Sequence, residues 1–435
     1  MVQVGDSVRA GQPIYQDRRD ERIRVTAPVA GVVAAINRGE RRVIQSVLID
    51  VVANAAPDAP ASSASSPFAA WRPNIGRDPA TLRALLLESG VWTALRTRPF
   101  SEVPSPDATP HALFVTAIDT QPLAPSVDVI IAERRDDFER GLEALVAFSD
   151  APVYLCRAVG SRSGDGVTGV HVAEFAGKHP AGTVGFHMHT LAPVSREHVA
   201  WHLGAQEVIR FGALLRTGHL DATQVVAIGG PMVREPRLWR TVVGASVREL
   251  LRGELVANDT PGAGANGAAT HGAGANGHPN EREYRIISGS VLTGHQVDDD
   301  ITGYLGRFHQ QISVIPESHA SDFIGWMLPA SRSYTYLPVF LASWARRRER
   351  AFDTRLHGGR RAMVPIGLYE DVMPMDLMPT HLLRAISVGD AEWAESLGVL
   401  ELDEEDVALC TFVCPSKYEY GAALRRVLDL IASER

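Results

Sequence analysis

The sequence has few cysteines, few lysines and no long apolar segment, and each of these shortages excludes a class of protein or a function. Three cysteines in 435 residues (Cys156, Cys410 and Cys414) are too few for a disulfide framework, which indicates a reducing compartment. No stretch approaches the roughly 20 apolar residues of a membrane helix, and the first residues lack the charged and apolar regions of an export signal. We therefore expect any membrane association to come through a partner.

Charge and composition exclude further classes of protein. The chain has 43 basic and 51 acidic residues, a net charge of −8, so it lacks the basic surface that follows a phosphate backbone, and we expect no nucleic-acid partner. Its 45% hydrophobic and 22% charged residues are typical of a folded globular protein. At about 150 residues per domain, this length predicts roughly three domains.

Composition and periodicity divide the chain into six segments. Short β patterns fill the first 52 residues, and a run rich in Ala, Ser and Pro follows them. Further on, strands alternate with helices, which favours a mostly parallel sheet covered on both faces. The predicted segments are a β module at 1–52, a linker with a connector helix at 53–104, an α/β domain at 105–257, a disordered insertion at 258–281, a second β-rich domain at 282–340 and a helical domain at 341–435.

Apolar runs and helical stripes predict the elements of the α/β segment. The predicted strands are 111–118, 127–132, 153–156 and 224–228, and the predicted helices are 136–149, 206–215 and 247–251. The insertion at 258–281 contains GAGANG twice and cannot bury enough apolar surface to offset its ordering entropy. Its two histidines, His271 and His278, are weak candidates for metal ligands.

The β module resembles the barrel-sandwich hybrid of biotinyl and lipoyl domains. Gly5-Asp6-x-Val8 and Ala27-Pro28-x-x-Gly31 supply the glycine turns and the proline-fixed hairpin entry of that fold. Those domains acylate a lysine displayed on a hairpin. The first lysine of this chain is Lys178, so the sequence predicts the fold without a carrier function.

Two cysteines near the C-terminus match half of an iron–sulfur motif. Bacterial ferredoxins place four thiolates in a C-x-x-C-x-x-C-x-x-x-C-P run. Cys410 and Cys414 occupy the last two positions, but Val407 and Glu404 occupy the other two. Two thiolates cannot hold a four-iron cluster alone. We therefore expect two buried cysteines and keep a metal or redox role as the alternative.

Two histidine pairs are further candidates for metal ligands. His187 and His189 would share a face of a strand, and His198 and His202 would share a face of a helix. No carboxylate lies at a recognisable zinc spacing, so we interpret all four as structural histidines. The sequence also lacks a dinucleotide fingerprint, a P-loop, a nucleophile elbow and an HExxH motif.

Several longer stretches resemble one family, the A subunit of the Na+-translocating NADH:quinone reductase (Na+-NQR). The resemblance covers nearly the whole chain. The stretches that carry it include 35–39 (AINRG), 113–120 (LFVTAIDT), 179–182 (HPAG), 304–309 (YLGRFH), 361–367 (RAMVPIG) and 400–415 (LELDEEDVALCTFVCP). Family members carry several dozen residues before the Gly5-Asp6 turn, so we expect the barrel of this chain to be incomplete at its N-terminus.

The resemblance implies a fold for each segment. It implies a multidomain α/β protein with a barrel-sandwich hybrid, a Rossmann-like domain, an SLBB-type β-grasp domain at 282–340 and a C-terminal helical ferredoxin-like domain without clusters. The family is akin to the C subunit of Rnf complexes and to the flavin-bearing subunit of respiratory complex I. Those relatives bind FMN through a glycine-rich loop, and the Rnf subunit carries two cubane clusters.

The residues at the corresponding flavin position do not match such a loop. Residues 89–100 (SGVWTALRTRPF) contain one glycine, Gly90, while Trp92 and Arg96 fill positions where backbone must approach the flavin. We therefore expect a scaffold without flavin or cluster. The resemblance implies that NADH, flavins and the iron–sulfur centre belong to partner subunits of a complex that couples NADH oxidation to sodium export.

The resemblance further implies a peripheral subunit on the cytoplasmic face of the inner membrane that binds ubiquinone as substrate. A quinone ring needs a flat apolar slot and hydrogen-bond donors to its carbonyls. The candidate residues for this slot are Trp92, Arg96, Arg98 and Phe100. We expect no catalytic residue in this chain. The alternatives are a scaffold subunit without a ligand and an NADH-oxidising flavoprotein, the latter requiring a flavin loop that the sequence lacks.

Overall fold

The computed structural model describes residues 1–51, 70–73, 76, 78–256, 284–298, 301–318, 351–356 and 358–434. The insertion predicted at 258–281, with His271 and His278, lies outside these residues, as do 53–69 of the predicted linker and 319–350. None of the helices in the described ranges is both long and apolar enough to cross a bilayer.

The first 51 residues form the predicted β module. Its strands are β1 (Ser7–Val8), β2 (Pro13–Gln16), β3 (Arg24–Thr26), β4 (Gly31–Arg38) and β5 (Ile44–Val51). β1, β4 and β5 make one antiparallel sheet, and β2 pairs with β3. Gly5 and Gly11 have positive φ angles at the turns, as the motif predicts. Val8, Ile14, Ala27 and Val33 form a small core between the strands.

A second sheet forms the α/β domain. Its strands are β6 (Arg96–Arg98), β7 (Ala112–Ala117), β8 (Val153–Ala158), β9 (Val170–Phe175) and β10 (Ala200–Gly204), in the order β6-β10-β7-β8-β9. β10, β7, β8 and β9 run parallel, and β6 is an antiparallel edge. The prediction of a mostly parallel sheet is therefore confirmed. Its helices are α1 (Pro79–Ser89), α2 (Val127–Glu133), α3 (Arg135–Phe148), α4 (Val184–Leu191) and α5 (Ala205–Thr217).

The strand predicted at 127–132 is wrong, because this segment forms α2. A short apolar run has no periodicity that separates a buried strand from a buried helix. In the structure Val127, Ile130 and Ile131 are buried, which is the i, i+3, i+4 spacing of one helix face. The acidic Asp128 lies in the first turn, where it is stabilised by the helix dipole.

Helices α3 and α5 pack with their backbones in direct contact. A Cβ atom added to Gly212 would lie 1.8 Å from the carbonyl oxygen of Asp137, and one added to Gly141 would lie 2.2 Å from that of Val208. Both helices also bury apolar residues in the main core of the domain. The absence of side chains at the two glycines therefore sets the distance between the helices.

A third sheet combines strands from both sides of the predicted boundary at 257. Its strands are β11 (Thr223–Gly229), β12 (Arg237–Val242), β13 (Tyr284–Ser288), β14 (His295–Gln296) and β15 (Gln311–Pro316), in the order β12-β11-β15-β13-β14, with α6 (Val247–Leu250) beside them. The strand predicted at 224–228 exists but pairs with β15, not with the α/β sheet. A strand pattern does not specify its neighbour, so the boundary at 257 divides one sheet.

Residues 358–434 contain the helices of the domain predicted at 341–435. Its helices are α7 (Pro379–Val388), α8 (Ala391–Ser396), α9 (Ala408–Val413) and α10 (Tyr420–Ser433). Leu424, Val427, Leu428 and Ile431 of α10 are buried, as their helical spacing predicts. They share a core with α7 and with Phe100, which follows the edge strand of the α/β domain.

Candidate functional site

Trp92, the first candidate of the predicted quinone slot, is part of the domain core. Its side chain is completely buried, and its Nε1 donates a hydrogen bond of 2.9 Å to the carbonyl oxygen of Pro104. The rings of Phe148 and Trp201 meet it edge-on, with centroids 5.9 and 5.7 Å away. The indole surface is fully used by these neighbours and does not form a slot.

Arg98 and Phe100 join two domains. Arg98 is 1% exposed, and its guanidinium group donates to Asp406 at 2.9 Å and to Glu405 at 3.0 Å. Phe100 packs in the core of the C-terminal domain, and its carbonyl oxygen accepts a hydrogen bond of 2.9 Å from Arg425. Both side chains are thereby held inside the protein.

Arg96 is the predicted candidate that contacts an exposed aromatic ring. It lies on the same face of β6 as Arg98, because side chains two residues apart point the same way on a strand. Its Nη1 donates to the carbonyl oxygens of Thr93 and Leu95 at 2.9 and 3.1 Å. Its guanidinium carbon lies 4.8 Å from the ring centroid of Phe308, a cation–π contact, and Phe308 is 46% exposed.

We call Arg96, Glu207, Arg210, Arg307 and Phe308 the Phe308 junction. The guanidinium group of Arg307 lies 5.8 Å from the Phe308 centroid and donates to Thr93 Oγ1 at 2.5 Å. The buried carboxylate of Glu207 accepts from Arg307 at 3.3 Å and from Arg210 at 2.5 Å. The junction thus joins the edge of the α/β sheet to the turn before β15.

The turn that carries Arg307 and Phe308 is fixed by side-chain hydrogen bonds. Gln224 of β11 donates to the carbonyl oxygens of Arg307 and His309 at 3.3 and 2.6 Å. Ser288 of β13 accepts from the backbone N–H of Gly306 at 3.0 Å. Two strands of the third sheet therefore hold the backbone of this turn in place, while the side chain of Phe308 remains exposed.

Three arginines and one carboxylate set the electrostatics of the Phe308 junction. Burial, together with repulsion from Arg307, lowers the pKa of Arg96 to about 10. Burial opposes ionisation of Glu207, but the charges of Arg307 and Arg210 outweigh it and hold the pKa of Glu207 below its ordinary value. The junction keeps a net positive charge, which suits a ligand with hydrogen-bond-accepting oxygens.

The β module also approaches the junction. Burial raises the pKa of the Tyr15 phenol on β2, and Arg307 is close enough to act electrostatically against that shift. Nη2 of Arg210 is buried and makes no hydrogen bond within the described part of the chain. Three domains therefore meet around donors that a flat ligand with carbonyl oxygens could use.

The two C-terminal cysteines are buried beside tyrosines. Tyr369 donates a hydrogen bond of 3.2 Å to Cys414 Sγ, and Tyr420 donates to the Tyr369 hydroxyl at 2.9 Å. Burial would raise the pKa of Cys414, but the hydrogen bonds from Tyr369, Tyr420 and two backbone N–H groups together outweigh it and lower the pKa, whereas burial raises the pKa of Cys410 to about 12. Val407 is buried, and Glu404 forms an ion pair with Arg425, so neither stands as a spare ligand.

The histidine pairs lie on other elements than the sequence predicts. His187 and His189 belong to helix α4 instead of a strand, and His202 belongs to strand β10 instead of a helix. His187 Nε2 lies 3.0 Å from the carbonyl oxygen of Ala181, and His189 Nδ1 lies 2.7 Å from Glu401. Over the described ranges, no three His, Cys, Asp or Glu side chains are arranged to hold a metal ion.

Two cavities lie away from the predicted slot. One of about 240 Å³ lies between α2, α5 and the third sheet, where Arg134 and Asp221 form an ion pair. The other, of about 410 Å³, lies at the start of α10 and is lined by basic residues. Trp92, Arg96, Arg98 and Phe100 line neither of them.

Comparison with protein families assigns three parts of the chain. Residues 1–52 match the NqrA N-terminal barrel-sandwich hybrid domain, and residues 78–220 match the NqrA second alpha/beta domain. Residues 225–260 match the NQRA C-terminal domain of SLBB type. The last match starts within β11, in agreement with the sheet that crosses the predicted boundary at 257.

Full-length relatives share one description, the A subunit of the Na(+)-translocating NADH-quinone reductase. The chain is 45% identical to the protein of Yersinia pseudotuberculosis over 435 residues and 42% identical to that of Neisseria meningitidis serogroup B over 441 residues. Each match covers 100% of this chain and 90% of the relative. Among solved structures, an NAD+-reducing NiFe hydrogenase is 12% identical with a TM-score of 0.37, over 55% of this chain and 47% of the other.

Proposed function

This chain belongs to the NqrA family, the A subunit of the Na(+)-translocating NADH-quinone reductase, and from that membership we propose that it binds the quinone headgroup at the Phe308 junction. It is a subunit of an enzyme that acts as an NADH:quinone oxidoreductase. The observation that carries the proposal is the exposed side chain of Phe308, whose ring centroid lies 4.8 and 5.8 Å from the guanidinium carbons of Arg96 and Arg307.

The chemistry of a quinone fits this arrangement. A quinone ring is flat and electron-poor, so it stacks in an offset geometry on an aromatic face such as that of Phe308. Its two carbonyl oxygens accept hydrogen bonds but donate none. Arg96 offers five N–H donors, and the hydrogen bonds it makes within the described residues use Nη1 alone. Nε and Nη2 of Arg96 are therefore the donors that we assign to a quinone carbonyl.

Of the four quinone-binding candidates predicted from the sequence, we propose that Arg96 contacts the quinone. Trp92, Arg98 and Phe100 are buried and act by holding the segment on either side of Arg96. Arg307 and Phe308 replace them as contacts. The signal that could have found these two was the stretch YLGRFH at 304–309, which supports the family resemblance.

Within the complex, we assign the redox cofactors to other subunits. NADH, flavins and an iron–sulfur centre are proposed to bind the partner subunits, with ubiquinone as the ligand of this chain. Sodium translocation needs polar sites inside the membrane, which we assign to membrane subunits. Family membership supports a position at the cytoplasmic face of the inner membrane, with a Rossmann-like α/β domain, a β-grasp SLBB domain and a ferredoxin-like helical domain.

A calorimetric titration of the full chain with a short-chain ubiquinone tests the proposal, with NADH as the control ligand. We expect saturable binding with a micromolar dissociation constant, about −8 kcal/mol, and no response to NADH. Phe308→Leu keeps an apolar side chain but removes the aromatic face, and loss of stacking should weaken binding about fivefold. Phe352→Leu, at a similarly exposed phenylalanine in another domain, should leave the affinity within about twofold.

The same titration on the assembled complex separates the alternatives. Equal affinities for Phe308→Leu and Phe352→Leu would remove the junction as the site while leaving quinone binding elsewhere in the chain. Absence of saturation in both the chain and the complex would instead favour a scaffold subunit without a ligand. A response to NADH would favour a nucleotide-binding role.

A further inference from the structure

The cavity of about 410 Å³ at the start of α10 is strongly basic for a protein whose net charge is −8. Arg360, Arg361, Lys417 and Arg426 line it, together with one carboxylate, that of Glu419. Within the residues that the structure describes, none of the four cations has a carboxylate partner at ion-pair distance. Among the described residues that line the cavity, four cationic side chains therefore face a single carboxylate.

The start of helix α10 adds to this positive potential. Ala422 and Ala423, in its first turn, also line the cavity. The N-cap residue Glu419 makes no side-chain cap, whereas Thr411 Oγ1 accepts from the N–H of Tyr420 at 3.2 Å. Backbone N–H groups at a helix N-terminus and the helix dipole both favour an anion. The cavity thus combines cationic side chains with the N-terminal end of a helix, and both of these favour a phosphate group.

Lys417 is held in a strained position at this cavity. Its φ is +53°, an uncommon value for a residue with a side chain. Its Nζ donates a hydrogen bond of 3.2 Å to the carbonyl oxygen of Phe412, and a Cβ added to Gly358 would lie 2.7 Å from its Cε. The loop before Arg360 therefore packs directly on Lys417, and backbone strain of this kind concentrates at functional sites.

Exposed apolar side chains lie next to the cationic ones. Leu356, two residues before Gly358, is 77% exposed. Phe352 and Phe412 are 44% and 39% exposed, and their ring centroids are 6.3 Å apart. A basic cluster beside exposed aliphatic and aromatic side chains matches a bilayer interface, where cations meet lipid phosphates and apolar groups meet the acyl boundary.

We propose that this cavity binds the phosphate group of an anionic phospholipid, with Leu356 and Phe352 at the membrane interface. Arg361 and Arg426 contact the phosphate, and the first turn of α10 contributes N–H donors. A soluble phosphate ester would satisfy the cations equally but would leave the apolar side chains in water. The inference rests on the cavity itself and not on quinone binding at the Phe308 junction.

Vesicle co-sedimentation of the full chain tests the proposal. The vesicles are phosphatidylcholine alone or with about one fifth phosphatidylglycerol, in about 0.1 M salt so that distant charges are screened. We expect the anionic lipid to raise the bound fraction and the double variant R361Q/R426Q to weaken that binding about tenfold. The matched variant R19Q/R162Q, at two exposed arginines elsewhere, should retain it. Leu356→Ser, which changes no charge, should also reduce it.

Three outcomes would overturn the proposal. One is an equal loss of vesicle binding in R361Q/R426Q and R19Q/R162Q, which would indicate general electrostatic attraction between the protein and the vesicles. Another is full binding by R361Q/R426Q, and the third is no vesicle binding combined with saturable binding of glycerol phosphate, which would assign the cavity to a soluble phosphate ester. Phe308→Leu should bind vesicles normally and R361Q/R426Q should bind quinone normally, so failure of one proposal is distinguishable from failure of the other.

Discussion

The guanidinium group of Arg98 donates a hydrogen bond of 2.9 Å to the carboxylate of Asp406, 308 residues further along the chain. Arg98 lies on β6, at the edge of the α/β sheet, and Asp406 belongs to the C-terminal helical domain. Both side chains are 1% exposed. A buried ion pair of this kind fixes the relative position of two domains more specifically than an apolar contact, because hydrogen-bond geometry tolerates little displacement.

Replacing Arg98 by Met should break this contact between the two domains and lower the free energy of unfolding. The substitution leaves the carboxylates of Asp403, Glu405 and Asp406 without their buried cation, and breaking a buried pair in this way costs about 3–5 kcal/mol. Urea unfolding followed by circular dichroism measures the loss. The control Arg19→Met, at an exposed arginine, should stay within about 0.5 kcal/mol. Equal unfolding midpoints would mean that the ion pair does not stabilise the contact.

Trp92→Phe should lower stability without affecting quinone affinity. The indole is completely buried between two aromatic rings, so a smaller ring leaves a cavity and loses the hydrogen bond to Pro104. We expect a loss of about 2–3 kcal/mol, below the range for removal of a whole aromatic side chain. Calorimetry should give the wild-type quinone affinity. If Trp92→Phe weakened quinone binding more than Phe308→Leu, the slot would lie at Trp92.

His187 should make the α/β domain less stable in acid. Burial lowers the pKa of its ring to about 4, whereas an unfolded histidine titrates near 6.5. The unfolded state therefore binds more protons than the folded state between these values, and the free energy of unfolding falls as pH decreases through this window. His187→Gln, which retains a donor toward Ala181, should show a shallower dependence, by up to about 1.4 kcal/mol per pH unit. Parallel curves in urea titrations from pH 7 to 4 would contradict the assignment.

The double variant C410S/C414S tests whether the cysteines hold a metal. We expect the purified full chain to contain no iron, because Val407 and Glu404 occupy the other two ligand positions and Cys414 accepts a hydrogen bond from Tyr369. Visible absorbance and elemental analysis should therefore not differ between wild type and variant. Cys156→Ser, at a buried cysteine of the α/β domain, is the matched control. Iron that is present in the wild type and lost only in the double variant would contradict the expectation.

Local patterns predicted the parallel sheet and most of the elements that the sequence analysis names in the α/β segment. The helix at 136–149 and the stripe on α10 have a clear helical period, and the structure places both as predicted. The predictions that failed concern short segments. The run at 127–132 is apolar throughout, and the histidine pairs at 187–189 and 198–202 lie in stretches with no decisive period, so neighbouring elements determined their conformation.

The candidate site was predictable only in part. The sequence identifies Arg96 within an unusual segment, but its aromatic partner Phe308 is 212 residues further along the chain. No local spacing predicts that contact, because it depends on how the third sheet docks against the edge strand β6. Similarly, Trp92 looked available as an aromatic residue beside two arginines, and its burial became evident only from the packing of Phe148 and Trp201 around it.

The contact between helices α3 and α5 restricts how this family can diverge. Gly141 and Gly212 each face a backbone oxygen of the opposite helix, so a single methyl group at either position would overlap main-chain atoms that cannot be exchanged by mutation. A substitution on the other helix could not relieve this overlap, because the atoms in the way are backbone atoms, which every residue has. The two positions should therefore stay fixed together in descendants of this sequence while the surrounding surface drifts.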